Sequence, residues 1–296
     1  MLTRRVKENA IRTLFLSTAA FSILILFLIV LFIFREALPI FKVVRVTDFL
    51  FGTEWYPTSD PPAFGILPLI IGSLVVTFFS ALLAIPLGVL SAIYISEIAH
   101  PWVKEILKPI VELLAGLPSV VLGFFGMVVL APWMQDFFNL PTGLNIMNAS
   151  VMLAVMSIPT ISSISEDALY SVPREFKEAS YALGATRYET IVNVTVPAAL
   201  PGISTAVILG IARAIGETMV VLMVAGGAAA IPEGIFDPVR PMPASIAAEM
   251  GEAPFHSDHY YALFAIGAVL LLLTLAFNFI ADYVSIRFRE AGSATL

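Results

Sequence analysis

The sequence contains no cysteine among its 296 residues. Disulfide bonds, thiolate metal sites and cysteine nucleophiles are therefore excluded. Charged residues are also scarce, at 13% of the chain, whereas hydrophobic residues make up 59%. A water-soluble protein of this length could not bury so large an apolar fraction. The composition therefore predicts an integral membrane protein.

Several catalytic and nucleotide-binding motifs are also missing. The chain has no Gly-x4-Gly-Lys-Ser/Thr loop, no His-Glu-x-x-His and no Gly-x-Ser-x-Gly. We therefore expect no catalytic residue in this chain and no nucleotide held by a P-loop. If the protein transports actively, an ion gradient or a separate ATPase has to drive it.

Two loop histidines raise the question of a metal site. His256, Asp258 and His259 lie close together in the sequence. Three such residues with no fourth ligand in view are typical of a solvated surface, so we expect no bound metal.

Six apolar stretches are long enough to cross a bilayer core of about 30 Å, which predicts an all-α membrane protein with about six transmembrane helices. The first follows a cluster of basic residues but is too long for the core of a signal peptide, so we expect a retained span. The second contains Pro68 and Pro86, so it is tilted, kinked or divided into two pieces. The stretches are Leu14–Phe34, Ile66–Ile95, Ile106–Leu130, Ile146–Ile164, Ala198–Ala225 and Tyr261–Val284.

The distribution of basic residues predicts the orientation in the membrane, because Lys and Arg accumulate in cytoplasmic segments. With the N-terminus inside, the outer segments hold four basic residues and one, Arg213, lies within a span. Both termini and the segment Ser171–Pro201 are therefore expected to be cytoplasmic. The inner segments hold the other eleven of the 16: Arg4, Arg5, Lys7, Arg12, Lys104, Lys108, Arg174, Lys177, Arg187, Arg287 and Arg289.

The expected outer segments carry ten acidic residues against four basic ones. An acidic outer face disfavours capture of an anion from bulk solution. It suits either a cationic substrate or delivery of the substrate by a separate binding protein. Acidic loops that only keep the outer face soluble are the alternative.

The segment Ser171–Pro201 is the longest polar interruption in the second half of the chain. Pro173 suits the first turn of a helix, and Gly184 is a typical helix end. The helix between them has one small or apolar face, formed by Phe176, Ala179, Ser180 and Leu183.

A second helix is expected directly after Gly184. Thr186 and Glu189 have the spacing of a capping box, and this helix is expected to run into Pro197. Two short helices joined at a glycine form a rigid protrusion that a soluble cytoplasmic partner could grip. A capped surface helix without a partner is the alternative that local patterns leave open.

Two charged residues lie inside the fifth apolar stretch. Arg213 and Glu217 are four residues apart, so on one helix they share a face and can form an ion pair. Ionisable residues within a membrane are commonly functional, so Arg213 is expected to contact a passing anion while Glu217 balances it. An ion pair that only fixes packing is the alternative. A neighbouring stripe of small residues predicts close helix packing: Gly202, Ala206, Gly210, Ala214 and Thr218.

The polar segment resembles the EAA loop of ABC-importer permeases, whose pattern is Glu-Ala-Ala-x3-Gly-x9-Ile-x-Leu-Pro. Three positions differ from the pattern by small or conservative changes, namely Ser180, Val194 and Val196. In that family the loop docks on a cytoplasmic ATPase. The resemblance therefore implies an ATPase-coupling role for Glu178, Ala179, Ser180, Gly184 and Pro197.

Shorter stretches are similar to the PstC-type subunit of the phosphate ABC importer. They are Phe51–Pro57, Ala212–Thr218, Phe236–Arg240 and Glu249–Ala253. Glu112–Val121 is similar to the third span of phosphate permeases, and Gly65–Ser73 is similar to the start of the binding-protein-dependent permease core. This resemblance implies a type I ABC importer permease fold and a role for Arg213 and Glu217 in phosphate passage. It also implies a PstA-type permease partner, a PstB-type ATPase dimer inside and a PstS-type phosphate-binding protein outside.

The resemblance further implies that this chain binds no cofactor, because ATP and Mg²⁺ belong to the partner ATPase. It implies a multi-pass protein of the prokaryotic inner membrane that contacts lipid and no nucleic acid. We expect an N-terminal helix and outer loop at 1–63 and a permease core at 64–286, with coupling helices near 172–195. A short cytoplasmic tail at 287–296 completes the expected division.

Three other functions compete with a PstC-type subunit. The chain could be the PstA-type partner or a permease for another oxyanion, such as molybdate or sulfate. A secondary transporter needs no capped docking loop and often contains inverted repeats, which the sequence does not display.

Overall fold

The computed structural model describes the backbone of residues 2–293, with the side chains of residues 8–280 and of Tyr283. In this range the chain is helical, apart from loops and one antiparallel hairpin of strands β1 (Trp55–Tyr56) and β2 (Ala63–Phe64). The α-helices are α1 (Leu2–Ala37), α2 (Val46–Phe51), α3 (Leu67–Ile93), α4 (Pro101–Ala115), α5 (Ser119–Phe125), α6 (Ala131–Phe138), α7 (Ile146–Tyr170), α8 (Arg174–Ala182), α9 (Arg187–Thr190), α10 (Val196–Ile215), α11 (Met219–Val224), α12 (Met242–Glu249) and α13 (Asp258–Ser293). Helical turns of other types lie at Leu38–Lys42 (3₁₀) and at Tyr94–Ile98, Gly126–Leu130 and Ile191–Thr195 (π).

Six helical runs in the described residues are long and apolar enough to cross a membrane, which confirms the predicted number. A bilayer core needs about 20 apolar residues in helical form, and each run meets that length. The runs are Glu8–Lys42, Leu67–Ile98, Ser119–Phe138, Ile146–Tyr170, Arg187–Ile215 and Asp258–Ile280.

The second span is a single helical run. Pro86 lies inside α3, which continues without a break through the π turn to Ile98. Of the possibilities that the two prolines left open, a division into two pieces is therefore wrong. Proline is tolerated in membrane helices because local adjustments and neighbouring helices satisfy the freed backbone groups.

The third span begins later than predicted. We expected one helix over Ile106–Leu130, but α4 ends at Ala115 and the next helix begins at Ser119. The break is Gly116–Pro118, where glycine permits the helix to end and proline disfavours helical geometry in the preceding residue. No residue of α4 is buried, so α4 is a separate surface helix that precedes the span.

The fifth span is broken near its C-terminal end. We expected one helix over Ala198–Ala225, but the run starts at Arg187 and ends at Ile215, and α11 follows only after a turn at Gly216–Thr218. An irregular backbone at membrane depth requires a protein lining. Val220 of α11 is fully buried, so the protein encloses this part of the chain.

Helix α7 forms the centre of the bundle, and glycines bring α3 and α10 close to it. A Cβ on Gly88 of α3 would lie 2.8 Å from the Ile161 side chain of α7, and a Cβ on Gly210 of α10 would lie 2.5 Å from it. A Cβ on Gly202 would come within 2.4 Å of Ala168 Cβ. The predicted small-residue stripe is thus confirmed as the α7-facing side of α10, except that Thr218 lies beyond the helix end.

Helix α1 packs on the rest of the chain near its C-terminal end, where the Phe32 and Phe264 rings lie 5.6 Å apart. Most of its apolar side chains between Leu14 and Phe32 are exposed. Because this stretch exposes apolar side chains on all sides, it is suited to a hydrocarbon environment.

The last helix is longer than the predicted span, because α13 continues past Val284 to Ser293. The proposed tail at 287–296 therefore starts as helix, and residues 294–296 lie outside the described residues. The proposed division after residue 63 falls inside β2.

The side chains of five basic residues used for the orientation also lie outside the described set: Arg4, Arg5, Lys7, Arg287 and Arg289. The cytoplasmic placement of both termini stays a prediction.

Helix α12 is a short helix in the proline-rich segment between α11 and α13. Its last residue, Glu249, is a shared acceptor. Trp55 Nε1 donates to its carboxylate at 3.1 Å, Arg240 Nη1 donates at 2.5 Å, and His259 Nε2 lies 2.8 Å from Oε2. The Glu249 side chain is 15% exposed. These contacts join the hairpin, the loop before α12 and the start of α13.

Replacing Glu249 with alanine removes the acceptor that three side chains share. We expect Glu249→Ala to lower the free energy of unfolding by about 3 kcal/mol, as when one partner of a buried ion pair is lost. Thermal unfolding of the detergent-purified protein measures the change. Glu252→Gln alters an exposed carboxylate in the same loop and serves as the control, with a change below about 0.5 kcal/mol. Equal stability of the two variants would contradict the prediction.

Candidate functional site

Helix α8 and the start of α9 form the predicted protrusion between the fourth and fifth spans. Pro173 occupies the N-cap of α8, one position before the first turn in which it was expected. Gly184 follows the helix with φ of +86°, a backbone conformation that favours glycine, and nothing lies within 4 Å of a Cβ built there. Glycine is therefore favoured here by the backbone conformation of the turn, and not because a side chain would clash with its neighbours.

The predicted capping box at the start of α9 is confirmed. The Thr186 backbone N–H donates to Glu189 Oε2 at 2.7 Å, and the Glu189 N–H donates to Thr186 Oγ1 at 3.4 Å. The two bonds satisfy backbone donors that a helix start leaves without partners. They fix the direction in which the chain leaves the Gly184 turn.

The second helix of the protrusion is not short, contrary to the prediction. It does not end at Pro197 but continues through α9 and a π turn into α10, so it is the beginning of the fifth span. Proline removes one helical hydrogen bond and crowds the carbonyl four residues earlier. The π turn at Ile191–Thr195 changes the bonding register at this point, which accommodates Pro197.

Most of α8 faces away from the rest of the chain. Glu178 and Ala179 are exposed, and so are Phe176 and Leu183, at 37% and 91%. Ser180 was expected on this outer face, but it points inward and its Oγ lies 2.9 Å from Thr190 Oγ1. The exposed surface of α8 is therefore an apolar stripe beside a carboxylate, with no partner in the described part of this chain.

Two polar contacts tie the protrusion to the end of the second span. Lys177 Nζ of α8 lies 2.7 Å from Glu97 Oε1, and the Arg187 guanidinium donates to the Glu97 backbone carbonyl. Sequence reasoning did not single out Glu97 for this role. The opposite charges of Glu97 and Lys177 are compatible with an ion pair. However, 80 residues separate them in the chain, so the sequence gives no reason to pair them.

A second group of charges joins α4 to α7 and was also missed. Lys104 Nζ and Lys108 Nζ each lie 3.2 Å from a carboxylate oxygen of Glu166, whose side chain is 7% exposed. Burial by itself lowers the pKa of Lys108, but the hydrogen bond and charge of Glu166, with the carboxylates of Asp167 and Glu112, more than offset it. The pKa of Lys108 therefore lies above its ordinary value, and the lysine stays charged near neutral pH.

Arg213 lies in the last turn of α10, within the fifth of the helical runs that are long and apolar enough to cross a membrane. Its Nη1 donates to Thr160 Oγ1 at 3.0 Å, and Thr160 lies near the middle of the 25-residue helix α7. A guanidinium has five N–H donors. Thr160 is its one recorded partner among the described residues, and the Arg213 side chain is partly exposed. Donors are therefore left for a ligand of opposite charge.

The predicted pairing of Arg213 with Glu217 is wrong. Helix α10 ends at Ile215, so the two residues do not share a helix face, and no ion pair joins these two described side chains. Glu217 Oε1 instead accepts the backbone N–H groups of Met219 and Val220, at 3.1 and 3.3 Å. Glu217 thus caps the start of α11, an arrangement that the helix break makes possible.

A cavity of about 480 Å³ opens between α3, α10 and α13. Its lining is mainly aliphatic and includes Ile85, Ile208 and Phe277, whereas Arg213 and Glu217 do not line it. The cavity lacks the charged groups that recognition of an anion requires, so we do not assign the candidate pathway to it.

The loop histidines have other contacts. His259 lies beside Glu249, as described above, and His256 Nδ1 lies 3.3 Å from the Tyr261 hydroxyl. Within the part of the chain that the structure describes, no three His, Asp or Glu side chains are grouped so that they could hold a metal ion.

Comparison with known proteins identifies the family. Residues 84–290 match the model described as the binding-protein-dependent transport system inner membrane component. The probable ABC transporter permease protein YqgH of Bacillus subtilis is 45% identical over 244 residues, covering 82% of this chain and 79% of that protein. The phosphate transport system permease protein PstC of Xylella fastidiosa is 32% identical over 279 residues, covering 88% and 84%.

A solved structure supports the fold. It is that of a bacterial alginate ABC transporter in complex with an alginate pentasaccharide-bound periplasmic protein. One of its chains aligns with a TM-score of 0.66 at 16% identity, over 93% of this chain and 95% of that chain. At this identity the likeness concerns the fold and not the substrate.

Six membrane-crossing helices with a capped protrusion between the fourth and fifth define a type I ABC importer permease, as predicted. The chain belongs to the family of binding-protein-dependent transport system inner membrane components. It is therefore a permease subunit of an ABC importer and a multi-pass protein of the prokaryotic inner membrane, and the ATPase is a separate subunit.

The separation of Arg213 from Glu217 can be tested by a double-mutant cycle. We expect Arg213→Gln and Glu217→Gln to change the free energy of unfolding additively, to within about 0.5 kcal/mol, because side chains without a shared contact do not couple. Thermal unfolding in detergent measures the four proteins of the cycle. The same cycle on Glu97 and Lys177, which do form an ion pair, is the positive control. A coupling energy for Arg213 and Glu217 as large as that control would contradict the structure.

Proposed function

We propose that this chain is a PstC-type permease subunit of an ATP-driven phosphate importer and forms half of the translocation path. The proposal rests first on the similarity to proteins named phosphate transport system permease protein PstC. It rests next on the segment Ala212–Thr218, which resembles the corresponding stretch of that subunit. The family alone does not choose the substrate, because relatives of the same fold carry other cargo.

The observation that carries the proposal is the guanidinium of Arg213 in the fifth of these helical runs. Its hydrogen bond to Thr160, the one found among the described side chains, holds the group in place and leaves other donors for a ligand. Arginine matches the geometry of phosphate oxygens and forms short charge-assisted hydrogen bonds with them. Glu217 serves the same path indirectly, because it caps α11 and so stabilises the helix break that follows Arg213.

The exposed stripe of α8 is the surface that meets the ATPase. A partner groove that covers Phe176 and Leu183 would bury apolar side chains now facing water, and Glu178 and Ala179 lie beside them. The partners are a PstA-type permease, a PstB-type ATPase dimer and a PstS-type phosphate-binding protein. ATP and Mg²⁺ bind to the ATPase.

Delivery by a binding protein explains how an anion reaches an acidic outer face. The predicted outer loops repel free phosphate over about one Debye length, roughly 8 Å at physiological ionic strength. Phosphate that arrives enclosed in a second protein avoids this field. Closure of the ATPase pair then moves α8, and the spans reorient around Arg213 by alternating access.

Uptake in reconstituted vesicles tests the proposal. We expect phosphate uptake to require this chain, the partner permease, the ATPase, the binding protein and ATP. Competition by arsenate, sulfate and molybdate then identifies the anion. Uptake by this chain alone, driven by an ion gradient, would mean that it is a secondary transporter, and preference for molybdate or sulfate would replace phosphate as the substrate.

Arg213→Ala should reduce uptake in this assay by at least about tenfold for each charge-assisted hydrogen bond lost to phosphate, since each contributes roughly 1.5–3 kcal/mol. Assembly of the complex should be unchanged, as judged by co-purification of the subunits. Arg45→Ala removes an exposed arginine from the outer loop and is the matched control, with uptake close to that of the native complex. Native uptake by a correctly inserted Arg213→Ala complex would defeat the assignment.

Gly184→Ala should uncouple ATP hydrolysis from uptake, because a Cβ at φ of +86° costs about 1–2 kcal/mol and tilts α8 away from its groove. Glu178→Lys should act in the same direction by reversing a charge on the docking surface. The measurement is phosphate transported per ATP hydrolysed. Gly251→Ala is the control, because a Cβ there also meets nothing within 4 Å but the backbone does not need glycine. Unchanged coupling in both α8 variants would contradict the role of this helix.

A further inference from the structure

The attachment of α8 to the membrane spans is polar. Helix α8 has no buried residue, and Lys177 and Ser180 are the two of its side chains that the rest of the chain partly covers. Apolar packing therefore does not hold this helix against the bundle. Besides its chain connections, through Val172 to α7 and through the Gly184 turn to α9, the links from α8 to the spans are two inward polar contacts.

These contacts lead to two different spans. Ser180 meets Thr190, which lies at the start of the fifth span, with 2.9 Å between the hydroxyl oxygens. Lys177 meets Glu97, which lies at the end of the second span, at 2.7 Å. The Glu97 side chain is 12% exposed, so water screens this ion pair less than it screens a surface pair.

Glu97 also contacts the helix on the other side of the Gly184 turn. Its backbone carbonyl accepts from the guanidinium of Arg187, at the start of α9. One residue therefore touches both helices of the protrusion, through its carboxylate and its carbonyl. The π turn Tyr94–Ile98 that carries Glu97 is continuous with α3, which packs on α7.

We propose that Glu97 is a positioning residue that transmits the movement of α8 to the second span. A force that shifts α8 acts on the Glu97 carboxylate through Lys177 and turns the cytoplasmic end of α3. Because α3 contacts α7 through Gly88, the shift reaches the helix that holds Arg213 through Thr160.

The chain offers a matched control for the loss of an ion pair. Glu166 is a buried carboxylate that pairs with Lys104 and Lys108, and its contacts join α4 to α7 without touching α8. Glu166→Gln and Glu97→Gln therefore remove comparable charges, but only the second removes the ion pair between α8 and the second span.

A distance measurement tests the attachment directly. Because the chain has no cysteine, spin labels at Leu90→Cys on α3 and Tyr181→Cys on α8 are unique, and both sites are exposed. In full-length protein in lipid nanodiscs, we expect Glu97→Gln to broaden or shift the distance distribution and Glu166→Gln to leave it unchanged. An unaltered distribution in Glu97→Gln would overturn the inference.

The consequence for coupling rests on the proposed role of α8 as the ATPase-docking helix. In vesicles with all partners, we expect Glu97→Gln to lower phosphate transported per ATP hydrolysed by about tenfold, within the usual range for coupling between two sites. The exchanged pair Glu97→Lys with Lys177→Glu should restore the ratio, because it restores the ion pair with its charges reversed. A ratio in Glu97→Gln equal to that of the native complex would overturn the inference.

If the native complex takes up no phosphate, the proposed function fails, and the distance measurement still decides the role of Glu97.

Discussion

The contact of Ile161 with two glycines determines how the spans come together. Gly88 of α3 and Gly210 of α10 each leave room for this one side chain, so three helices meet at the same level of the bundle. Between membrane helices, close packing takes over much of the role that apolar burial has in water. The residue before Ile161 is Thr160, which binds Arg213. The packing contact and the candidate substrate contact therefore occupy the same turn of α7.

The helix break after Ile215 also determines how the candidate site around Arg213 is arranged. A backbone inside a bilayer leaves the helical conformation only where protein satisfies its polar groups. Glu217 meets this requirement by accepting two N–H groups of α11. The carboxylate that looked like the counter-charge of Arg213 is thus engaged elsewhere. The hydrogen bond of Arg213 among the described side chains goes to Thr160 instead.

Polar contacts concentrate at the two ends of the bundle, where the spans meet water. At one end, the Glu249 carboxylate contacts Trp55, Arg240 and His259. At the other end, Glu97 contacts Lys177 and Arg187. Ion pairs that are partly covered but near water hold their partners in defined geometry at modest energetic cost. The glycine contacts of α7, by contrast, join the spans by close apolar packing.

The sequence alone determined the six spans, the capping box at Thr186 and the turn at Gly184, because each depends on neighbouring residues or on helical periodicity. It also determined that the small-residue side of α10 faces another helix. Only the tertiary structure decided that Arg213 and Glu217 form no ion pair and that Glu97 contacts Lys177. Glycine and proline mark possible breaks, but packing settles which of them end a helix: α3 continues through Pro86, whereas α10 ends at Gly216. Pairing between residues distant in the chain arises only when the fold brings them together.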